Sequence, residues 1–245
     1  MIQTRALNKQ FGAKVAVRDL ELDIAAGEFF CFLGPNGAGK TTTIKMLIGL
    51  QRPSSGQALV GGYDIQTEPT AAKQLLGYVP DHPYLYERLT GRELMRFVAG
   101  LYRMPEATFA ERCDALLETF EILHVADQLV ESYSHGMRQK LSFASCFLHQ
   151  PRIVVVDEPW VGLDPKNIRE VKSYLRAQTD LGLTVFMSTH SLSIAEEVAD
   201  RIGIIHRGQL LHVGTVEEIK SLASNPGSLE DVFLELTRQA EEALS

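Results

Sequence analysis

Blocks of apolar and turn-forming residues in the first third of the chain predict a strand, a glycine-rich turn and a helix. The strand is the apolar run from Phe29 to Leu33, and the helix begins near Gly39. Turn residues from Pro53 to Gly56 then precede an extended segment from Gln57 to Ile65 and a short helix. The order strand, loop, helix is typical of phosphate-binding folds.

The middle of the chain has the 3.6-residue period of helices up to about His149. Thr90 and Glu93 form a capping box ahead of the first helix, because a threonine and a glutamate three residues later satisfy each other's backbone amides. A second helix follows Pro105, and a third starts at Ser134. This segment is predicted to be a helical insertion.

Strands return after the insertion and alternate with helices. The β-branched run from Ile153 to Val156 is typical of a strand buried on both faces in a parallel sheet. A helix over residues 165–178 and a strand over 184–187 follow, and residues 201–213 resemble a hairpin. The alternation predicts an α/β architecture with ligands at the carboxyl ends of the strands, and a last amphipathic helix opens at Ser228.

Composition narrows the class of protein. The chain has 245 residues, 45% of them hydrophobic, enough for one domain with a subdomain. Its 24 basic and 31 acidic residues give a net charge of −7, which disfavours nucleic acid as a partner. The three scattered cysteines predict reduced thiols in cytosol, and the sequence shows neither a signal-peptide core nor an apolar run of membrane-spanning length. If the protein works at a membrane, we expect another molecule to anchor it.

The glycine-rich turn has the complete P-loop pattern. Its backbone amides can surround phosphate oxygens, Lys40 can bind the β and γ phosphates, and the Thr41 hydroxyl can ligate Mg²⁺. The pattern alone does not distinguish an ATPase, a GTPase and a kinase. The candidate ATP-binding residues of this loop are Gly34, Pro35, Asn36, Gly37, Ala38, Gly39, Lys40, Thr41 and Thr42.

Two further segments suit phosphate chemistry. Asp157 can hold Mg²⁺ through water and Glu158 can polarise the attacking water, although such a pair can also be a solvated loop start. Ser134 and Gly136 stand at a helix N-terminus, where a serine can be a plain N-cap or part of a second phosphate-binding surface.

Together these segments resemble the ABC ATPase family, in the family's order and over essentially the whole chain. The matching segments are Ser134-His135-Gly136-Met137-Arg138-Gln139 for the signature motif, Glu158-Pro159 for the end of the Walker B motif, Gly162-Leu163-Asp164-Pro165 for the D-loop and Ser188-Thr189-His190 for the switch region. The resemblance implies a P-loop NTPase (RecA-like) core with a mainly parallel sheet, an N-terminal antiparallel β portion and an inserted α-helical subdomain.

The resemblance also implies the domain boundaries. Residues 1–245 form a single ABC ATPase domain, whose nucleotide-binding core comprises about residues 1–88 and 150–222. The helical signature subdomain covers about 89–149, and a helical tail covers about 223–245.

Family resemblance further implies that cassettes work in head-to-tail pairs with ATP and Mg²⁺ as cofactors. The site of the ATP bound by one chain is then completed by Ser134, Gly136 and Met137 of the other chain, and Asp164 lies at the interface between the two. His190 would contact the γ-phosphate and act with Glu158 and Lys40 in catalysis. Phe11 would stack on adenine, although an aromatic residue near a strand is more often part of a core.

Two positions depart from the family pattern. Asp81 stands where glutamine is usual after a strand ending in Tyr78-Val79-Pro80, and it becomes a further candidate Mg²⁺ ligand beside Thr41 and Asp157. His135 replaces a glycine of the signature. We hypothesise that its protonation tunes ATP affinity near neutral pH; a pH-independent difference between wild type and His135→Gly would contradict this.

The favoured function is the ATP-binding and ATP-hydrolysing subunit of an ABC transporter, peripheral on the cytoplasmic face of the cell membrane. Its partners would be a separate membrane-spanning permease and a second cassette, either the same chain or a related one. The tail from Ser228 to Thr237 resembles the type-2 class of ABC exporters, which favours export.

The alternative is a soluble non-transport ABC ATPase acting on nucleic acid, ribosomes or a protein assembly, although such proteins usually add a coiled coil or a second cassette. A GTPase is disfavoured because the only Asn-Lys pair, Asn8-Lys9, lacks the following aspartate of a guanine-binding motif and precedes the P-loop.

Overall fold

A computed structural model describes residues 1–160, 163–222 and 228–242. These residues form two β-sheets and a set of helices. The strands are β1 (Ile2–Phe11), β2 (Lys14–Ile24), β3 (Phe29–Leu33), β4 (Ser55–Val60), β5 (Tyr63–Asp64), β6 (Leu76–Val79), β7 (Ile153–Asp157), β8 (Thr184–Thr189), β9 (Arg201–His206) and β10 (Gln209–Gly214). The helices are α1 (Lys40–Leu47), α2 (Pro69–Gln74), α3 (Gly91–Leu101), α4 (Glu106–Thr119), α5 (His135–Phe147), α6 (Pro165–Asp180), α7 (Leu192–Val198), α8 (Val216–Lys220) and α9 (Leu229–Glu242).

The larger sheet has the strand order β10-β9-β3-β8-β7-β6. Its strands pair in parallel except β10, which forms an antiparallel hairpin with β9. Every residue of β3, β7 and β8 is buried, as expected for strands covered on both faces. The carboxyl ends of the parallel strands therefore meet at one edge, where the P-loop and the Asp157 carboxylate lie.

The smaller sheet has the order β2-β1-β4-β5 and is antiparallel throughout. Its inner face packs on the larger sheet, and Phe30, Phe32 and Phe186 belong to the core between the two sheets. The pairing of β1 with β2 slips between Thr4 and Leu7. This sheet brings the end of β1 beside the P-loop and so delivers Phe11 to the site.

Helices α3, α4 and α5 form the predicted insertion. Thr90 and Glu93 make the capping box of α3, and the Ser134 hydroxyl accepts a hydrogen bond from the Met137 amide at the start of α5. These helices pack in a core that continues beneath the larger sheet, including Leu117, Phe143 and Val154. The predicted fold class, an α/β core with an antiparallel β portion and helices inserted into it, is confirmed.

The end of the described chain agrees with the sequence pattern. Ser228 and Asp231 exchange hydrogen bonds at the start of α9. Residues 161–162, the second of which begins the predicted D-loop segment, and residues 223–227 and 243–245 of the predicted tail lie outside the described residues. Of the helices that the structure describes, none has the length and apolar character needed to cross a lipid bilayer.

Candidate active site

A cleft of about 620 Å³ opens at the carboxyl edge of the larger sheet, between the P-loop and the end of β1. It brings together most of the predicted ATP, magnesium and catalytic residues. The cleft is lined by Phe11, Lys14, Val15, Ala16, Asn36, Gly37, Gly39, Lys40, Thr41, Thr42, Asp81, His82, Asp157, Glu158, His190 and Arg207. Gly34, Pro35 and Ala38 support the loop without lining the cleft.

The P-loop needs glycine where its backbone turns. Gly37 and Gly39 have φ angles of 80° and 112°, in the region that disfavours side chains. A Cβ on Gly39 would lie 2.6 Å from the Ala16 carbonyl oxygen. Gly39 therefore lets β2 pass close to the loop while α1 begins at Lys40.

Lys40 is a buried cation, 5% exposed, that binds three oxygen atoms. Its Nζ donates to the Gly34 carbonyl at 2.7 Å and to the Pro35 carbonyl at 3.2 Å, and lies 3.0 Å from Glu158 Oε1. Two of the partners belong to the P-loop, and the third follows the end of β7. Lys40 thus links the phosphate loop to the candidate catalytic carboxylate.

Glu158 is held at both ends. Its φ is 42°, unusual for a residue with a side chain, and its amide donates to Ser188 Oγ at 3.1 Å. Its second carboxylate oxygen contacts Nδ1 of His190. The His190 side chain is 59% exposed, so the chain of contacts runs from the buried Lys40 to the mouth of the cleft.

Asp157 precedes Glu158 in the chain and is buried, and one of its two carboxylate oxygens lacks a hydrogen-bond partner among the described residues. Ser188 donates to Oδ1 at 2.5 Å, whereas Oδ2 is buried and has no hydrogen-bond partner among the described residues. Burial raises the pKa of the Asp157 carboxyl above its usual value, the neighbouring Ser188 and Thr41 hydroxyls oppose this, and the charges of Asp81 and Glu158 add to it. A buried carboxylate oxygen without a partner, close to a threonine hydroxyl, fits a hard cation such as Mg²⁺.

Asp81 lies at the rim of the same cleft. Its carboxylate accepts a hydrogen bond from the His82 amide at 2.9 Å, and its charge acts on Asp157. His82 in turn contacts the ring of His135 edge-on, with the ring centroids 6.5 Å apart. The two positions that depart from the family pattern are thus neighbours through His82, and the roles suggested for them stay predictions.

Phe11 lies at the end of β1 and is 48% exposed at the mouth of the cleft. The Lys9 ammonium lies 4.9 Å from the centroid of its ring. The sequence pattern does not predict Lys9, Lys14 or Arg207 as residues of this site. The alternation of faces along β1 does indicate that Lys9 lies on the same face as Phe11, since residues two apart on a strand share a face. Arg207 follows β9, and no local pattern in the sequence connects that strand to the P-loop.

The signature residues line a different cleft, of about 330 Å³. Ser134, Gly136, Met137 and Asp164 lie there together with Asn167. Asp164 caps α6 by accepting a hydrogen bond from the Asn167 amide at 2.9 Å. Within one chain, therefore, the signature and the D-loop aspartate form a second surface that is separate from the P-loop cleft.

A family model described as "ABC transporter" matches residues 17–161. The chain belongs to the ABC transporter family. The assignment to ABC ATPases that resemble the type-2 exporter class is confirmed, and it accounts for the P-loop cleft and the signature cleft in one chain.

Curated relatives cover nearly all of the chain. It is 35% identical over 240 residues to the "Probable multidrug ABC transporter ATP-binding protein YbhF" of Escherichia coli (strain K12), covering 96% of this chain but 41% of that protein. It therefore spans less than half the length of that relative. It is 37% identical over 245 residues to the "Daunorubicin/doxorubicin resistance ATP-binding protein DrrA" of Streptomyces peucetius, covering 100% of this chain and 74% of that protein.

Solved structures share the whole fold. An ATP-binding subunit of an ABC transporter superposes with a TM-score of 0.91 and 32% identity, over 97% of this chain and 99% of that chain. A dimeric ATP-binding cassette with ADP and phosphate bound has a TM-score of 0.80 over 88% of this chain and 98% of that one; at 23% identity this likeness concerns the fold alone.

Proposed function

We propose that this chain is the ATP-binding and ATP-hydrolysing subunit of an ABC exporter, coupled to a separate membrane-spanning permease at the cytoplasmic face of the membrane. The observation that carries the proposal is the chain of contacts from Lys40 through Glu158 to His190, beside a buried Asp157 oxygen that lacks a partner. Relatives named for multidrug handling and for daunorubicin resistance support export.

The contacts of Lys40 suggest how ATP engages the site. In this structure the Lys40 ammonium neutralises Glu158. A triphosphate in the P-loop offers oxygens of higher charge, so Lys40 turns to the β and γ phosphates and releases Glu158. Glu158 is then free to polarise the attacking water, and His190 orients the γ-phosphate.

The cleft contains candidate ligands for Mg²⁺. Thr41 and Asp157 would hold the ion, with Asp81 as a further candidate ligand at the rim. When bound, Mg²⁺ neutralises charge that develops on the phosphate oxygens.

The separation of the two clefts supports a head-to-tail pair. Ser134 and Gly136 lie outside the cleft of their own chain, where they cannot serve the ATP that Lys40 binds. In the proposed pair they complete the ATP site of a second cassette, which is this chain or a related one, and Asp164 lies at the seam.

Co-purification tests the transporter assignment. Tagged full-length chain, expressed in its native host, is isolated from membranes in mild detergent, and the proteins that accompany it are identified. We expect a membrane-spanning permease that transports its substrate in vesicles with the wild-type chain and fails with Lys40→Ala. Recovery of ribosomes, nucleic acid or no partner would contradict the proposal.

A further inference from the structure

Lys9 and Phe11 are two residues apart on β1 and lie on the same face of the strand. The Lys9 ammonium stands over the Phe11 ring, 4.9 Å from its centroid. Phe11 nevertheless keeps 48% of its surface exposed where it lines the ATP cleft. One face of the ring is thus occupied by a cation, while the rest remains open to a ligand.

Lys9 is an unusual lysine because it is only 9% exposed. Its Nζ donates to the Arg52 carbonyl at 2.7 Å, and in the described part of the chain it forms no salt bridge with a carboxylate. A buried cation needs partners, and here they are one carbonyl and one aromatic face. The carbonyl fixes the ammonium, and the ammonium in turn fixes the plane of the ring.

This arrangement affects what can bind on the open face. Aromatic faces carry negative charge density and repel one another when stacked directly. A cation on one face offsets that density, and a ring held in one orientation loses less entropy when a ligand stacks on it. Both effects favour a purine base on the free side of Phe11.

We propose that Lys9 is a positioning residue for base recognition, acting through Phe11 on the adenine of ATP. The proposal rests on the ATP site proposed above, and it assigns Lys9 no contact with the phosphates. Lys9 therefore contributes to the affinity for the base and leaves the affinity for the triphosphate unchanged.

The test compares ATP with inorganic tripolyphosphate, which lacks a base, by calorimetric titration of the full chain. Lys9→Met removes the cation, and Lys9→Gln removes it while keeping a donor for the Arg52 carbonyl. We expect both variants to raise the Kd for ATP about two- to fivefold, and to change the Kd for tripolyphosphate less than twofold. Lys9→Arg, which keeps a cation over the ring, should bind ATP like wild type.

The Phe11→Ala variant shows whether Lys9 acts through the Phe11 ring. In that background Lys9→Gln should cause no further loss of ATP affinity, because the ring through which it acts is gone. Equal losses for ATP and tripolyphosphate, or the same loss with and without Phe11, would overturn the role of Lys9. Failure of the wild-type chain to bind either ligand would instead refute the ATP site.

Discussion

Lys40 is the residue on which the charge balance of the cleft depends. It is buried, and its single positive charge is shared among two P-loop carbonyls and the Glu158 carboxylate. A buried ammonium with such partners can exchange the Glu158 carboxylate for a phosphate oxygen and keep hydrogen-bond partners throughout. The same side chain can therefore stabilise the cleft before ATP arrives and bind the phosphates afterwards.

Lys40→Ala should weaken ATP binding. A hydrogen bond to a charged group contributes about 1.5–3 kcal/mol, so the Kd should rise about 10- to 150-fold. Titration calorimetry with Mg·ATP measures this directly, and a thermal unfolding scan checks that the variant is folded. An unchanged Kd would refute the assignment of the P-loop.

Local signals in the sequence predict most of the helices and strands. The apolar run of β3, the Thr90–Glu93 capping box and the start of α5 at Ser134 each depend on neighbouring residues, and the structure confirms them. Contacts between distant segments could not be predicted in this way. The pairing of Lys40 with Glu158 depends on the parallel order of β3, β8 and β7, which only the folded sheet establishes.

His149, at the end of the predicted helical insertion, joins α3, α5 and β6. It follows α5, stacks on Tyr102 after α3 with ring centroids 3.7 Å apart, and its Nε2 lies 3.1 Å from the Leu76 carbonyl oxygen of β6. Burial lowers its pKa from 6.5 to about 4. The Nε2–H can donate to the Leu76 carbonyl whether or not the ring is charged, but burial penalises the charged ring, so the folded state favours the neutral form of His149.

The stability of the fold should therefore depend on pH. Between about pH 6.5 and pH 4 the unfolded chain binds a proton at His149 that the folded chain does not, so the free energy of unfolding falls as the pH falls through this range. The contribution is at most about 3 kcal/mol. Denaturant titrations at several pH values measure this change in the free energy of unfolding. His149→Phe keeps the ring stack but cannot titrate, so an equally steep pH dependence in this variant would contradict the role of His149.

For the whole molecule, the two separate clefts imply that one chain holds two half-sites. The P-loop cleft contains Lys40 and Glu158, and the other contains Gly136 and Asp164. A head-to-tail pair would join each half-site to its complement. The family resemblance implies this arrangement, whereas the spacing and order of the motifs alone do not, because the separation depends on where α5 and α6 pack.

Gly136→Asp tests the pairing without disturbing the single chain. A Cβ on Gly136 would make only ordinary contacts, at 3.7 Å from Leu163 and 3.9 Å from Asn167, so Gly136→Ala serves as the matched control for folding. The aspartate should repel the partner's phosphates and weaken ATP-dependent dimerisation at least about tenfold, with ATP binding to the monomer retained. Light scattering measures this ATP-dependent dimerisation, with both variants made in a Glu158→Gln background. Equal dimerisation of the two variants would contradict the composite site.

We propose that this cleft hydrolyses ATP with Glu158 as the general base. The most direct test of this proposal is phosphate release from saturating Mg·ATP by wild type and Glu158→Gln, with bound ATP measured in the same samples. We predict that Glu158→Gln binds ATP nearly as well as wild type and that its turnover falls at least about 100-fold, since loss of a general base removes a factor of about 10² to 10⁴. Turnover that survives in Glu158→Gln at the wild-type rate would show that Glu158 is not the general base.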